Sequence, residues 1–434
     1  MLRHGRRLLS KQPTRTLPKV LVVAGPTGTG KSEVGLQLAR KLDGEIVIAD
    51  SVQIYKGTDI GSNKTKKCEI PQHLLDRFEC DMDPPVTAAF FAQEAWKAIH
   101  DIIARNKIPI VVGGNGFYLQ WLLFGNDGSG ESVIRNRERC EELERRLRIR
   151  VGLRNSWSNV VFEAGNMVLE SIDAQPFADE HAIRSYLERI GEQDTRRLVR
   201  AIEILIGGNG KVPSYLSEKL KPGYDFRCNA ISVDRLWLCR RLDFRCELMV
   251  QAGLIDEVKA LIDAKKLPKS SPVRSAIGYK QTLEFIQEVE MTSSKSFDGA
   301  FRNFLYRLQA STRRFCKQQL DWFSARQEFR FVDMFLGKGH PGFNDMPRSL
   351  SFPRECVDPV VRDIQKHFEM SFEDYCRMVK SESYTEDQET IKAHIEMHGQ
   401  DMNRYQPIPL IFRENMKSPL LLSLISQQIS YKSP

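Results

Sequence analysis

Gly25-Pro-Thr-Gly-Thr-Gly-Lys-Ser32 carries, in one short run, the groups needed to hold a chain of phosphates. The run fits G-x-x-x-x-G-K-[ST], the loop whose backbone amides cradle phosphate oxygens. Gly25, Gly28 and Gly30, with Thr27 and Thr29 between them, let those amides turn inward on an anion. Lys31 adds a point charge for the outer phosphate, and Ser32 offers an oxygen to Mg²⁺. A carboxylate follows at Asp50-Ser51. It could coordinate Mg²⁺ indirectly, take a proton from an acceptor, or simply cap a helix.

These residues need a scaffold that brings them to one edge. Val20–Ala24 is a short β-branched run that suits a buried parallel strand, and Val34, Leu36, Leu38 and Leu42 give the helix that must follow the loop. Glu45–Ala49 reads as the next strand, which puts Asp50 at a strand's carboxyl end, where open α/β sheets bind ligands. A further strand over Ile108–Val112 ends in Gly113-Gly-Asn-Gly116 where a Walker B strand would carry an aspartate. Two glycines there permit close approach by a ligand or by neighbouring backbone. Phe117-Tyr118 then opens a helix whose aromatics serve either as core or as a stacking surface for a base. A GTPase would need Asn-Lys-x-Asp, and Asn63-Lys-Thr-Lys66 fails at its last position. A small-molecule kinase remains open on the loop alone.

Charge and cysteine content narrow the class. Residues 1–32 hold seven bases and no acid, whereas the rest of the chain sets 57 of the 64 bases against 56 acids. The opening segment has the Arg/Ser-rich, acid-free composition of a transit peptide. The expected destination is therefore a mitochondrion or plastid, with the cytoplasm as the alternative. The body is nearly neutral but patchy. Arg135–Arg154 contains eight arginines interleaved with glutamates, Arg196, Arg197 and Arg200 cluster, and Arg302–Lys317 has bases without an acid. Such patches either neutralise nucleic-acid phosphates or form solvated helix faces. Nine irregularly spaced cysteines without a C-x-x-C pair argue for reduced thiols. Cys376, His394 and His398 lack the fourth ligand of a closed zinc site. No run of about eighteen apolar residues is present, so no membrane-spanning helix is expected.

Further motifs extend the pattern. Asp50-Ser-Val-Gln-Ile-Tyr-Lys-Gly-Thr-Asp-Ile-Gly61, Pro71-Gln-His-Leu-Leu-Asp76, Gly113–Tyr118, Asp194–Glu203, Arg241-x-x-x-Arg245, Gly253–Glu257, Arg274–Gln281 and Arg314–Trp322 follow the phosphate loop in order. Together they resemble the tRNA dimethylallyltransferase (IPP transferase) family from about residue 20 to 325. The resemblance implies an α/β fold, with a P-loop, nucleotide-kinase-like parallel sheet core and an inserted helical domain. The expected parts are a basic segment over 1–18, core over 19–129 and 226–334, a tRNA-binding helical insertion over 130–225, and an extension over 335–434 of unknown role.

The resemblance further implies that the loop holds dimethylallyl diphosphate, with Mg²⁺, while the acceptor is the adenine beside the anticodon of a tRNA stem-loop. Asp50 would be the base, Thr27 would contact the departing oxygen, and Arg245 with Arg241 would neutralise the diphosphate. Ser51, Gln53, Asn115, Arg196, Arg197, Arg200, Arg274, Gly278, Tyr279 and Lys280 would meet the tRNA, with Gly278 and Tyr279 lining the channel that receives the base. A monomer is expected. Asn115 stands where the family usually has threonine, Gln318 replaces a usual arginine, and the eukaryotic zinc finger is absent. An adenylate isopentenyltransferase shares the front motifs, and a non-catalytic RNA-binding module would keep the fold without needing Lys31, Ser32 and Asp50.

Overall fold

The computed structural model describes residues 17–65, 68–125, 137–152, 156–172, 179–192, 194–210, 212, 220–291, 297–334 and 351–396. The chain divides into two compact units, Met1–Leu123 with Pro222–Pro434, and Phe124–Lys221. Among the described residues no helix is long and apolar enough to cross a membrane. Residues 1–16 of the basic segment and residues 397–434 of the extension lie outside the described residues.

The first unit is built on β1 (Lys19–Ala24), β2 (Gly44–Ala49), β3 (Gln72–His73), β4 (Ile108–Gly113), β5 (Asp225–Ser232) and β6 (Arg330–Asp333). These form one six-stranded sheet in the order β3-β2-β4-β1-β5-β6, parallel throughout. The apolar strands expected from the sequence are its centre, and they read as continuous apolar runs because both faces are covered. The sequence reading did not separate β3, β5 or β6. Ala24 pairs with Gly113 and Ala230, and Ala49 also pairs with Gly113. The loops after β1, β2 and β4 therefore leave from one edge, so the phosphate loop, Asp50 and Gly114-Asn115 start as neighbours. Helices α1 (Lys31–Lys41), α2 (Ala88–Ala104), α3 (Gly116–Phe124), then α8 (Arg235–Gln251), α9 (Leu254–Asp263), α10 (Tyr279–Met291) and α11 (Phe297–Ser324) complete the part that carries these loops.

The second unit contains α4 (Arg137–Val151), α5 (Trp157–Ser171), α6 (Glu180–Glu188) and α7 (Thr195–Gly207). Side chains of Ser156, Asp179 and Asp194 cap the last three. Leu143, Leu147, Met167, Ile183, Leu187, Leu198, Ile202 and Leu205 form its core. Leu198, Ile202 and Leu205 fall on one helix face, which is the physical basis of the amphipathic pattern.

Residues 354–396 fold into α12 (Arg354–Glu369), α13 (Phe372–Val379) and α14 (Glu382–Glu396). Helix α12 ends before Met370 because Ser371 caps a new helix by accepting from the Asp374 amide. Val357, Val360, Val361, Ile364 and Phe368 join the sheet core beside Val34 and Leu38 of α1. Each such side chain contributes about 1.5–3 kcal/mol relative to exposure. The carboxyl end of α12 is held by two cations: Lys19 Nζ donates to the Phe368 and Met370 carbonyls, at 2.6 and 2.9 Å, and buried Arg227 donates to those of His367 and Met370, at 3.0 and 3.1 Å. At the sheet edge, Gln388 accepts from Phe331 N at 2.6 Å and donates to Phe331 O at 3.2 Å. The side-chain amide thus pairs with β6 as a strand would.

Candidate active site

Three glycines shape the phosphate loop, all with positive φ: Gly25 at 140°, Gly28 at 87° and Gly30 at 81°. A Cβ on Gly25 would lie 2.4 Å from Ile231 O, so side chains are excluded there twice over. Among the described residues no protein acceptor is found for the amides of Gly28, Thr29, Gly30, Lys31 and Ser32, the last two at the amino end of α1. Unpaired amides converging at a helix N-terminus are an anion site.

Side chains divide between holding the loop and facing the anion. Thr29 is fully buried and its Oγ1 donates to Pro26 O at 2.9 Å, so what it offers a ligand is its amide. Lys31 Nζ donates to the same carbonyl at 3.1 Å. Burial pushes the Lys31 ammonium down to about 8, partly opposed by Asp50 and reinforced by Arg245. Arg245 Nη1 donates to Thr27 Oγ1 at 2.8 Å, uniting two residues named from the sequence. Its own pKa is lowered by burial while Asp50 supports its charge. The charge of Asp50 is felt by both Lys31 and Arg245, so one carboxylate and two cations lie around the loop.

Asp50 Oδ1 accepts from the amides of Val52, at 2.9 Å, and Gln53, at 3.1 Å. The capping role is therefore real, but it occupies one oxygen. No described residue donates to Oδ2. A carboxylate fixed at one corner and open at the other has the form a general base requires.

Arg241 does not take the position expected of a diphosphate ligand. It is 4% exposed, its Nε donates to Gly28 O at 2.9 Å, and its guanidinium lies 4.0 Å from the Phe352 ring. It clamps the loop from behind. Sequence reasoning missed Gln319 altogether. Its Oε1 accepts from Thr27 N at 2.9 Å and its Nε2 donates to Gly114 O at 2.6 Å, tying the phosphate loop to the turn after β4. The only available signal was the neighbouring departure at Gln318. The glycine pair after β4 serves backbone approach: a Cβ on Gly113 would lie 2.1 Å from Ala49 O, and one on Gly114 2.7 Å from Gly25 O.

This geometry can be set beside known proteins. The family profile described as IPP transferase matches residues 53–327, and that described as isopentenyl transferase matches 18–87. A tRNA dimethylallyltransferase of Protochlamydia amoebophila is 34% identical over 321 residues, spanning 73% of this chain and 84% of that one. The chain belongs to the IPP transferase family. Among its relatives, tRNA dimethylallyltransferase 9 of Arabidopsis thaliana is 33% identical over 340 residues, covering 73% of this chain and 71% of the other. A solved structure described as a eukaryotic dimethylallyltransferase acting on tRNA superposes with a TM-score of 0.54 at 26% identity, covering 73% of this chain and 74% of that one.

The residues that the IPP transferase resemblance assigns to tRNA are spread over both units. Asn115 Oδ1 accepts from the amides of Phe117, at 3.1 Å, and Tyr118, at 3.2 Å, and so caps α3. Threonine is also a capping residue, which explains physically why the family's usual residue can be exchanged here; the Asn115 amide nitrogen stays available. Ser51 is half-buried, and Gln53 Nε2 donates to Ser62 O at 3.0 Å. Tyr118 is core, stacked on Phe91 at 4.1 Å, whereas Phe117 is 60% exposed.

Tyr279 overturns its expectation. It is fully buried, and its hydroxyl donates to Glu257 Oε1 at 2.6 Å. Glu257 in turn accepts from the amides of Asp59, Ile60 and Gly61 at 2.8, 2.6 and 2.9 Å. Desolvation and the Glu257 charge push the phenol well above its usual range. Tyr279 thus anchors the loop after Asp50 and lines no channel. Gly278, at φ 96°, starts this turn and is buried. Arg274 Nη1 is spent on Leu267 O at 3.0 Å, while Lys280 is exposed.

Four of the five bases in Arg302–Lys317, all but Arg314, are paired with acids. Arg313 pairs with Asp243, Arg307 with Glu284 and Glu288, Arg302 with Asp298, and Lys317 with Asp321. The acids come from α8, α10 and the ends of α11 itself, which a local charge count cannot see.

Within the second unit, Arg197 is 72% exposed on its side chain, with Asp194 3.7 Å away. Arg196 lies on the same helix, and its side chain is outside the described residues. Arg200 instead pairs with Glu203, which is fully buried and also accepts from Cys140 Sγ at 3.0 Å. Arg200→Ala is therefore expected to destabilise this unit by about 1.5–3 kcal/mol through loss of a charge-assisted bond to the buried carboxylate. Arg197→Ala should leave stability unchanged and weaken tRNA binding with a shallower salt dependence. Urea unfolding and affinities at two salt concentrations separate the two; equal stability of both variants would contradict the assignment.

Proposed function

We propose that this chain transfers a dimethylallyl group from dimethylallyl diphosphate to the exocyclic N6 amine of the adenine beside the anticodon in tRNA. The observation that carries the reading is the meeting, at one sheet edge, of the amide nest, Lys31, the Thr27–Arg245 pair and the open oxygen of Asp50. The C1–O bond of the donor breaks, the N6–C1 bond forms, diphosphate departs, and the N6 proton passes to Asp50 Oδ2. The amides, Lys31 and Arg245 stabilise the negative charge that grows on the leaving group. The exocyclic amine is a poor nucleophile, so proton removal during attack is worth about 10²–10⁴-fold. A stacked adenine must first be extruded, at a cost of a few kcal/mol.

The donor set suits Mg²⁺, which keeps most of its waters and takes substrate phosphate oxygens plus one or two protein oxygens. Ser32, exposed at the amino end of α1, would supply such an oxygen, leaving Asp50 Oδ2 free for the N6 proton. The ion would spread the leaving group's charge. The acid-free opening segment supports a mitochondrial or plastid destination. A monomer is the active form in this reading, which is supported by Thr27, Lys31, Asp50 and Arg245 all coming from one chain.

Occupancy of the cradle is directly measurable. Dimethylallyl diphosphate should protect the amides of Gly28–Ser32 from hydrogen exchange, and ATP at the same concentration should not displace it. Displacement by ATP would contradict the donor assignment. The pKa of Lys31 adds a pH dependence. Near 8 in the free protein, it should rise when a bound anion favours the charged ammonium. Binding thus takes up a proton above pH 8, and donor affinity should fall by up to about tenfold per pH unit as pH rises from 8 to 10. Calorimetry across that range checks this; a flat profile would contradict it, and Lys31→Arg should abolish the slope.

A further inference from the structure

The matched family profiles end at residue 327, yet the chain continues into the back of the phosphate loop. Phe352, which precedes α12, is 3% exposed. Its ring lies 4.0 Å from the Arg241 guanidinium and 5.3 Å from the ring of Trp237. Arg241 is the residue that holds Gly28 O at 2.9 Å. The same ring closes over the loop's last glycine: a Cβ on Gly30 would lie 2.7 and 2.8 Å from Phe352 Cδ2 and Cε2, and 2.9 Å from Met334 Cε. Behind Phe352, Val357, Val360, Val361 and Ile364 pack into the core with Val34 and Leu38 of α1, the helix that the loop opens. The ring therefore touches the loop's glycine turn directly and, through Arg241, its Gly28 carbonyl.

We propose that Phe352 is a positioning residue for the diphosphate cradle: residues 351–369 form a brace, outside the matched family region, that holds the Gly28–Gly30 turn in its anion-binding shape. The inference rests on the reading that the cradle holds the prenyl donor. Gly28 and Gly30 both sit at positive φ, and each is a conformation with many alternatives for glycine. Without the ring, Arg241 loses the nearer of its two aromatic partners, keeping only Trp237 at 5.5 Å, and Gly30 loses the surface it packs against, so the five amides no longer converge at no cost. The donor must then order the loop itself, which divides the intrinsic dissociation constant by the fraction of loop already competent and so raises the apparent one. tRNA makes no use of this turn in the proposed reaction, so its affinity should not move.

The test uses the full chain with Phe352→Ala, Phe352→Leu and Phe352→Tyr. Leucine fills most of the space over Gly30 and keeps the protein folded, but it removes the ring from Arg241; tyrosine restores the ring. The expected result is a rise of about tenfold or more in KM for dimethylallyl diphosphate in the alanine variant, a smaller rise with leucine, and near wild-type behaviour with tyrosine. KM for tRNA and kcat at saturating donor should stay within about twofold, and exchange of the Gly28–Ser32 amides should quicken in the free alanine and leucine variants. Equal donor KM and equal amide exchange in wild type and the leucine variant would overturn the proposal. A fall in kcat with unchanged donor KM would also overturn it. Wild-type protein that neither binds the donor nor modifies tRNA would instead sink the functional reading, a different outcome from either.

Discussion

Asp50→Asn is expected to slow prenyl transfer by about 10²–10⁴-fold while leaving tRNA affinity unchanged and donor affinity unchanged or tighter. Asparagine keeps an oxygen to accept from the Val52 and Gln53 amides, so the turn after β2 survives. What it loses is the open Oδ2, replaced by an amide nitrogen that cannot take a proton. It also removes a negative charge that competes with the diphosphate for Lys31 and Arg245. Alanine is the poorer probe, because it deletes the cap as well, at about 1 kcal/mol. Single-turnover rates with saturating donor and undermodified tRNA would show the effect. A wild-type rate in the asparagine variant would remove Asp50 from the role of base.

The second large effect belongs to Lys31. Lys31→Ala should raise the donor KM by about 10–100-fold, as expected for a lost charge-assisted hydrogen bond in a half-buried site. It should also lower kcat by about 10²–10³-fold, because the charge on the departing diphosphate peaks in the transition state. Alanine is a strong helix former, so the first turn of α1 should persist. The KM for tRNA serves as the internal control. An alanine variant with unaltered donor KM and kcat would show that the amides alone hold the diphosphate and that the ammonium is idle.

The parts of the site that lie on one continuous segment were legible in the sequence. The Gly25–Ser32 loop, its flanking strand and helix, and Asp50 at the end of β2 obey local rules, so spacing and hydrophobic pattern reveal them. Arg245 came from the family resemblance, and its bond to Thr27 joins residues 218 positions apart, which no pattern encodes. Gln319 was missed for the same reason, since its two bonds reach back 292 and 205 positions. Tyr279 and Arg241 were assigned to ligands by the family resemblance alone. Both are instead buried and hold loops, Tyr279 through Glu257 and Arg241 through Gly28 O. Arg200 likewise reads as a phosphate ligand until Glu203 is seen beneath it. A charged side chain's partner is set by packing between elements, and the sequence alone does not say which acid arrives. The stretch from residue 351 onward matched no motif because its contribution is apolar area and helix-end hydrogen bonds, neither of which has a signature.

The most direct check on the central assignment is a competition between acceptors. The protein is incubated with Mg²⁺, labelled dimethylallyl diphosphate and an equimolar mixture of undermodified tRNA and AMP, after which both acceptors are separated and the tRNA is digested to nucleosides. Label recovered as N6-isopentenyladenosine from the position beside the anticodon, with none on AMP, is the predicted result. Label on AMP with unlabelled tRNA, or donor consumed with neither acceptor modified, would contradict it.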